Sequence, residues 1–409
     1  MSSRCCGKAK PPSRPSKKAP CASGPAPGAQ ECPRTRFQQM IGNCYAYATA
    51  AKKAGRPIVG ILCEYTPREL ILAAGAVPVC LCGGSVEMIA PAERDLPTNL
   101  CPLIKSTYGY HVEKANPFLE MAGLIVAETT CDGKKKMYEL MAESRPMHIL
   151  ELTQKPDDPG AFNHWLAELR RLRVELERRF RVRITDAKLR KAIAAMNRER
   201  ALRRAVAELM KAHPPPLTGR ELLDLKSIIP CIPGDLAAYE AALRQLPGRL
   251  PVRDAASRVR VLLTGVPTVH GAERVVDIIE KAGGLIVAME NCTGLRPILE
   301  DVDEKARDPL RAIAEKYFHL PCSVMTPNDR RLDSLKRLAR EYRAACIVEL
   351  IWQACLTYDV ESHRVKRLAE KELHLPYLRI ETDYSPSDSA RIATRVEALF
   401  ETVRAASPA

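Results

Sequence analysis

The sequence predicts an α/β protein. It should consist of two duplicated, doubly wound parallel-sheet domains joined by a helical insert and preceded by a disordered tail. Three observations carry this. Short β-branched runs alternate with helical stretches over 58–156 and again from Arg258 onward, which is the pattern of parallel sheets with helices on both faces. Between them, 159–246 has helical spacing almost throughout. The first 36 residues are rich in Pro, Ser, Gly and Ala without an apolar period. The expected divisions are a tail at 1–36, an α/β domain at 37–157, a helical insert at 158–256 and a second α/β domain at 257–405.

The elements follow in order. Residues 58–63 read as a strand. A helix over 66–74 comes next, with Thr66 as its cap, Pro67 at its first position and Glu69 three residues after the cap. Gly75 ends it. Strands are read at 77–81, 124–127 and 148–152, with a helix at 135–143. In the insert, Trp165, Leu169, Leu172, Leu176 and Phe180 form one apolar stripe and Leu189, Ile193 and Met196 another. Thr185 caps a helix, Pro214-Pro215-Pro216 stops it, and Thr218 with Glu221 forms a capping box. Later strands are read at 259–263, 285–289, 347–350 and 377–380. Helices are read at 272–282, 304–318, 330–343, 361–372 and 387–403.

The two α/β parts echo each other. Gly123, the Leu-Ile-Val-Ala run after it, Cys131 and Gly133 recur at the same offsets as Gly284, Leu-Ile-Val-Ala, Cys292 and Gly294. The echo reads as a duplication in which Cys131 and Cys292 are equivalent.

Composition excludes several classes. Of 409 residues, 46% are hydrophobic and 27% charged, ordinary for a globular chain. The longest apolar run, 71–81, contains Pro78 and falls short of the about 20 residues a membrane helix needs. With no apolar leader at the basic N-terminus, the expected location is cytoplasmic. Half of the net charge of +14 lies in the tail, where eight basic residues face Glu31 alone. The other basic block, at 162–211, reads as amphipathic helices with a solvated face. With 5% aromatics and no zinc-finger or helix-turn-helix pattern, no nucleic-acid partner is expected.

The 15 cysteines are the more informative count. A cytoplasmic chain should not carry structural disulfides. Cys5, Cys6, Cys21, Cys32 and Cys44 lie in or near the tail. Cys80 and Cys346 sit inside strands and read as packing residues. Cys231 lies in a Pro-flanked loop. The other seven, Cys63, Cys82, Cys101, Cys131, Cys292, Cys322 and Cys355, stand at strand ends or in turns, where open α/β sheets bind ligands. Zinc spacing is absent. Single thiolates from several loops suit an iron–sulfur cluster.

These cysteines lie in motifs that resemble a known family. Cys63-Glu-Tyr-Thr-Pro-Arg-Glu-Leu70 with Ala73-Ala-Gly-Ala-Val-Pro78 is similar to the N-terminal signature of the 2-hydroxyacyl-CoA dehydratases, relatives of the 2-hydroxyglutaryl-CoA dehydratase D-component and of benzoyl-CoA reductase. So are Asn99-Leu-Cys-Pro-Leu-Ile-Lys-Ser-Thr-Tyr-Gly109, Glu128-Thr-Thr-Cys-Asp-Gly-Lys-Lys-Lys-Met137, Met289-Glu-Asn-Cys-Thr-Gly294, Pro321-Cys-Ser-Val-Met-Thr-Pro327 and Gln353-Ala-Cys-Leu-Thr-Tyr358. Together they most resemble the double-cubane-cluster reductase branch, over about residues 37–405.

The resemblance implies two flavodoxin-like domains with an iron–sulfur cluster between them. The cluster is a double-cubane (8Fe–9S) in that branch and a 4Fe–4S in the dehydratases. The double cubane takes about six thiolates from one chain: Cys101, Cys131, Cys292 and Cys355, with two of Cys63, Cys82 and Cys322. The resemblance also implies a homodimer that receives low-potential electrons from a separate ATP-hydrolysing 4Fe–4S activator. The substrate would be a small molecule or an acyl-CoA, which dehydratase relatives handle through a ketyl radical. A non-catalytic electron-transfer scaffold is the alternative of another class. Leu356 stands where the branch pattern has histidine after the last cysteine. Glu128 and Glu290, just before Cys131 and Cys292, are candidates for proton delivery or for binding turn backbone. Lys105 and Lys134 to Lys136 are candidates for offsetting cluster charge or binding phosphate. His111, His148, His270 and His319 lack metal spacing and read as structural.

Overall fold

The computed structural model describes residues 33–249, 251–252 and 254–406. Most of the predicted tail therefore lies outside the described residues. Its boundary moves, however. A helix spans Pro33–Gln38, Arg34 pairs with Glu221 at 2.5 Å, and Arg36 pairs with Asp235 at 2.7 Å. A second helix, Met40–Lys53, buries Met40, Cys44, Ala48 and Ala51.

Eight strands form two four-stranded sheets. The first contains β1 (Ile58–Ile61), β2 (Val77–Cys80), β3 (Leu124–Glu128) and β4 (Met147–Leu150), in the order β2-β1-β3-β4. The second contains β5 (Val259–Gly265), β6 (Gly284–Glu290), β7 (Cys346–Trp352) and β8 (Tyr377–Thr382), in the order β6-β5-β7-β8. Every pairing is parallel. Strands β3, β5, β6 and β7 are buried at every residue, which accounts for their nearly continuous apolar runs.

The strand order is the same in both sheets, so the α/β unit is repeated. The sequence echo is nevertheless misaligned. It matches β3, the third strand of its sheet, to β6, the second strand of the other. The counterpart of Cys131 is Cys355, after β7, and the counterpart of Cys292 is Cys82, after β2. Doubly buried parallel strands draw on the same few residues, and that similarity produced the match.

The helical segment covers the outer faces of both sheets. Trp165, Leu169, Leu172 and Leu176 of the helix Pro159–Phe180 pack with Val59, Ile61 and Val126. The helix Asp186–Glu208 contributes Leu189 and Ile193 to that core, and Val206 and Ala207 to a second core with Leu262, Leu285 and Ile347. The Thr218–Glu221 capping box forms with both bonds at 3.0 Å.

Four predicted helices start elsewhere, one of them, read at 135–143, at Asp132. Of the other three, the first begins at Arg68, with Pro67 at its cap making no side-chain bond. Thr66 instead donates to Glu128, and Glu69 accepts from Arg200 and Tyr317. The next begins at Pro309, capped by Asp308, and the last at Leu356. Among the described residues no helix is long and apolar enough to cross a membrane.

Candidate functional site

Parallel strands all end on the same side, so each sheet gathers its loops at one edge. Cys63, Cys82 and Cys131 follow β1, β2 and β3, while Cys292 and Cys355 follow β6 and β7. The two loop sets touch. Tyr384 donates to the carbonyl of Gly83 at 3.2 Å, and Tyr65 to that of Leu320 at 2.9 Å. Gly84 packs so closely on the turn after β5 that a Cβ there would collide with the His270 carbonyl oxygen. Cys101 heads the helix Pro102–Val112, and Cys322 lies in the turn after Pro309–Phe318.

Burial and neighbouring groups shift six of these seven thiols, Cys63, Cys82, Cys101, Cys131, Cys292 and Cys355. Burial pushes Cys63 far above the usual thiol range, and Glu128, Cys292 and Cys322 push it the same way against Lys134. Burial raises Cys292 to about 12, with Cys322 adding to it and Arg296 opposing. Burial also raises Cys131, whose neighbours include Lys134, Cys101 and Cys322. A hydrogen bond from Cys355 holds Cys101 below its ordinary value and raises Cys355. Cys82 is raised by its bond to Cys80, then by burial. Six of the seven are partly accessible and Cys101 is buried. Among the described residues no three His, Cys, Asp or Glu side chains close around a single ion. Of the seven, Cys82 and Cys292 line the cleft described below.

Cys80 is the residue the sequence reading missed. It was expected to pack inside a strand. It ends β2 partly accessible on a cleft wall, and the bond from Cys82 lowers its thiol to about 7. The Cys-x-Cys spacing at 80–82 was the available signal. Cys346 is fully buried, as expected.

Beneath Cys63 lies a buried polar group of unusual composition. Thr66 bonds one oxygen of Glu128, while Glu128 Oε2 and the Tyr138 hydroxyl are buried without a hydrogen-bond partner. Burial raises the Glu128 carboxyl to about 7. Lys134 donates to the Leu62 carbonyl at 2.9 Å. Burial works against its ammonium, but Tyr138, Cys63, Cys82 and Cys131 outweigh that and hold it well above the ordinary range. Lys105 is occupied by Glu93 and the Thr98 carbonyl, both at 2.7 Å, so it serves the fold. Lys135 and Lys136 pair with Asp132 and Glu139 on the surface.

Glu290 sits quite differently from Glu128. Arg296 binds it at 2.8 Å and Arg331 at 3.3 Å, both guanidinium groups being buried. Burial opposes its charge, yet the two arginines hold its carboxyl below the usual range. Arg331 continues to Glu349 at 2.8 Å and to Glu361. Arg296 also bonds the Tyr358 hydroxyl. Asn328 ties Glu361 to the Cys322 carbonyl at 2.7 and 3.0 Å. This network braces the loops of Cys292, Cys322 and Cys355, and Glu290 has no free proton in it.

A cleft of about 380 Å³ opens beside the thiols, within the range of small-ligand sites. Its walls include Cys80, Cys82 and Cys292, the cationic side chains of Arg68 and Lys316, and the apolar Phe118.

Two parallel-sheet units whose loops meet, with cysteines at their strand ends and a ligand-sized cleft beside Cys82 and Cys292, define an α/β protein with a candidate site at that junction. Comparison with known proteins specifies the family: residues 63–403 match the 2-hydroxyglutaryl-CoA dehydratase D-component family, and the chain belongs to it. It is 42% identical over 360 residues to YjiM of Escherichia coli (strain K12), a protein provisionally named as a dehydratase subunit, covering 86% of this chain and 92% of that one. It is 24% identical over 377 residues to the (R)-phenyllactyl-CoA dehydratase beta subunit of Clostridium sporogenes, covering 90% and 97%. It is 24% identical over 335 residues to a benzoyl-CoA reductase subunit of Thauera aromatica, covering 79% and 84%.

Proposed function

We propose that this chain is an iron–sulfur reductase component. It takes low-potential electrons from a separate ATP-hydrolysing 4Fe–4S activator and reduces a small substrate, working as a cytoplasmic homodimer. The single observation that supports this is the gathering of Cys63, Cys82 and Cys131 about Lys134, with Cys292 and Cys322 of the second half acting on Cys63. The donor set fits a multi-iron cluster. The candidate ligands are soft thiols spread over several loops of both halves. Cys101, Cys131, Cys292 and Cys355, with two of Cys63, Cys82 and Cys322, would hold a double-cubane cluster. When bound, that cluster supplies single electrons at low potential.

The chain's own residues do the rest. Lys134 offsets the negative charge of the thiolates. The buried network around Arg331 keeps the loops of Cys292, Cys322 and Cys355 in register. Thr66 fixes one oxygen of Glu128 and leaves Oε2 free to hold a proton. A carboxyl poised near neutrality is suited to give that proton to a reduced substrate. Glu290 is clamped by arginines, which leaves Glu128 as the candidate proton donor, fully buried and set back from the residues that line the cleft. The cleft beside Cys82 and Cys292 is the substrate chamber.

The names of the relatives favour a second reading, a dehydratase subunit, for which the family resemblance implies one 4Fe–4S cluster and a ketyl radical. Anaerobic purification with iron and sulfide analysis separates the two. About eight iron atoms per chain supports the double cubane, and about four supports the dehydratase. A colourless protein with stoichiometric zinc would overturn both. Turnover with activator and ATP distinguishes either from an electron-transfer scaffold.

A further inference from the structure

The substrate chamber carries more positive than negative charge. Arg68, Arg200, Arg203, Lys226 and Lys316 line it, against Glu64 and Glu199. Arg68 pairs with Glu64 at 2.9 Å and Arg203 with Glu199 at 3.8 Å. Arg200 pairs at 2.5 Å with Glu69, which stands behind the wall. Lys226 and Lys316 are left over. Among the described residues neither has a carboxylate within ion-pair distance. Each donates to a carbonyl, that of Thr268 for Lys226 and that of Pro297 for Lys316, both at 3.0 Å, and Lys316 also lies over the Tyr317 ring, 4.4 Å from its centroid.

The carboxylates nearest to them are already engaged. Glu64 and Glu69 serve the arginines. Asp224 bonds Arg220 at 3.0 Å, and Glu273 accepts from the Gly271 amide at 2.9 Å. Lys316 is only 8% exposed. A buried cation without a partner is costly, so proteins pair such charges. Burial pushes both ammonium groups down, Lys226 to about 8, as expected where the counter-charge comes from outside the chain. The apolar Ile41, Phe118, Met196 and Val269 share the walls, which suits a ligand with a carbon skeleton.

We propose that this chamber binds a small organic dianion presenting carboxylate or phosphate oxygens, with Lys226 and Lys316 as its charge partners. The proposal rests on reading the cleft as the substrate chamber of the thiol site, but the binding step itself needs no electrons.

The test is calorimetric titration of the anaerobically purified full chain with succinate, inorganic phosphate and neutral succinamide. Succinate or phosphate should bind saturably and succinamide should not. Succinate alone assigns a dicarboxylate, and phosphate alone a phosphate ester. Lys226→Met and Lys316→Met should each weaken that binding on the order of tenfold, with iron per chain unchanged. The proposal is overturned if neither dianion binds or if both variants bind like the wild type. Anaerobic isolation of a chain without iron would sink the cluster reading, and succinate binding by that same chain would leave this one standing.

Discussion

The guanidinium of Arg296 lies 3.6 Å from the sulfur of Cys292 and on its other side grips Glu290 at 2.8 Å. One buried cation thus faces both a candidate ligand and the carboxylate beneath it. Arg296→Met should leave Glu290 to Arg331 alone and strip Tyr358 of its partner. Removing one member of a buried ion pair costs about 3–5 kcal/mol, and the lower end is expected because Arg331 remains. Denaturant unfolding of the variant checks this, and a loss below about 1 kcal/mol would contradict it.

The candidate ligand thiols make a graded set of expectations. Cys→Ser at Cys101, Cys131, Cys292 or Cys355 should lower iron content and abolish ATP-dependent reduction. Cys346→Ser should leave iron untouched and cost only packing stability, since that side chain is fully buried in β7. Cys80→Ser tests the residue the structure adds, because loss of iron there would extend the ligand set to the Cys80–Cys82 pair. Full iron in all of the first four variants would remove the proposed ligands.

Glu128 gives stability a particular pH dependence. Its carboxyl titrates near 7 in the fold against an ordinary 4.5. The folded chain therefore binds an extra proton between those values, and stability falls as pH rises through that window. Glu128→Gln has no proton to lose. From about pH 4.5 to 7 the wild type should lose stability relative to the variant, with the gap level above 7. Parallel melting curves for the two proteins across that range would refute the assignment.

Gly84 tests the contact between the two loop sets. A methyl group there would collide with the His270 carbonyl oxygen, which is backbone and cannot swing aside. Gly84→Ala should cost about 1–3 kcal/mol. Gly42→Ala is the control, because nothing lies within 4 Å of a Cβ there, and a helical Gly→Ala change gains roughly 0.5–1 kcal/mol. Equal melting temperatures for the two variants would show that the loops do not meet.

Most strands were legible because a doubly buried parallel strand can hardly be anything but β-branched and apolar. The same uniformity hid the true alignment of the repeat, matching β3 to β6 when the topology pairs β3 with β7. Local signals failed where a tertiary partner claimed the residue. Thr66 and Glu69 spell a capping box, yet Glu128 takes one and Arg200 the other. The helix Met40–Lys53 escaped notice because its buried stripe is mostly small residues. The helix after Cys355 was read too late because its first turns show Leu356 and Val360 to solvent, which breaks the amphipathic pattern. At the site, loop position singled out seven cysteines, but only the folded chain could tell a free Glu128 from a clamped Glu290.

The helix Asp186–Glu208 is 23 residues long, about 35 Å at 1.5 Å per residue, and each of its ends is anchored in a different core. Neither half of the molecule can melt without taking this spine with it. Heating should therefore give one transition, with calorimetric and van't Hoff enthalpies in agreement. For the same reason the gene cannot be divided into two separately stable halves at the helical segment, although the repeated strand order suggests that it once was.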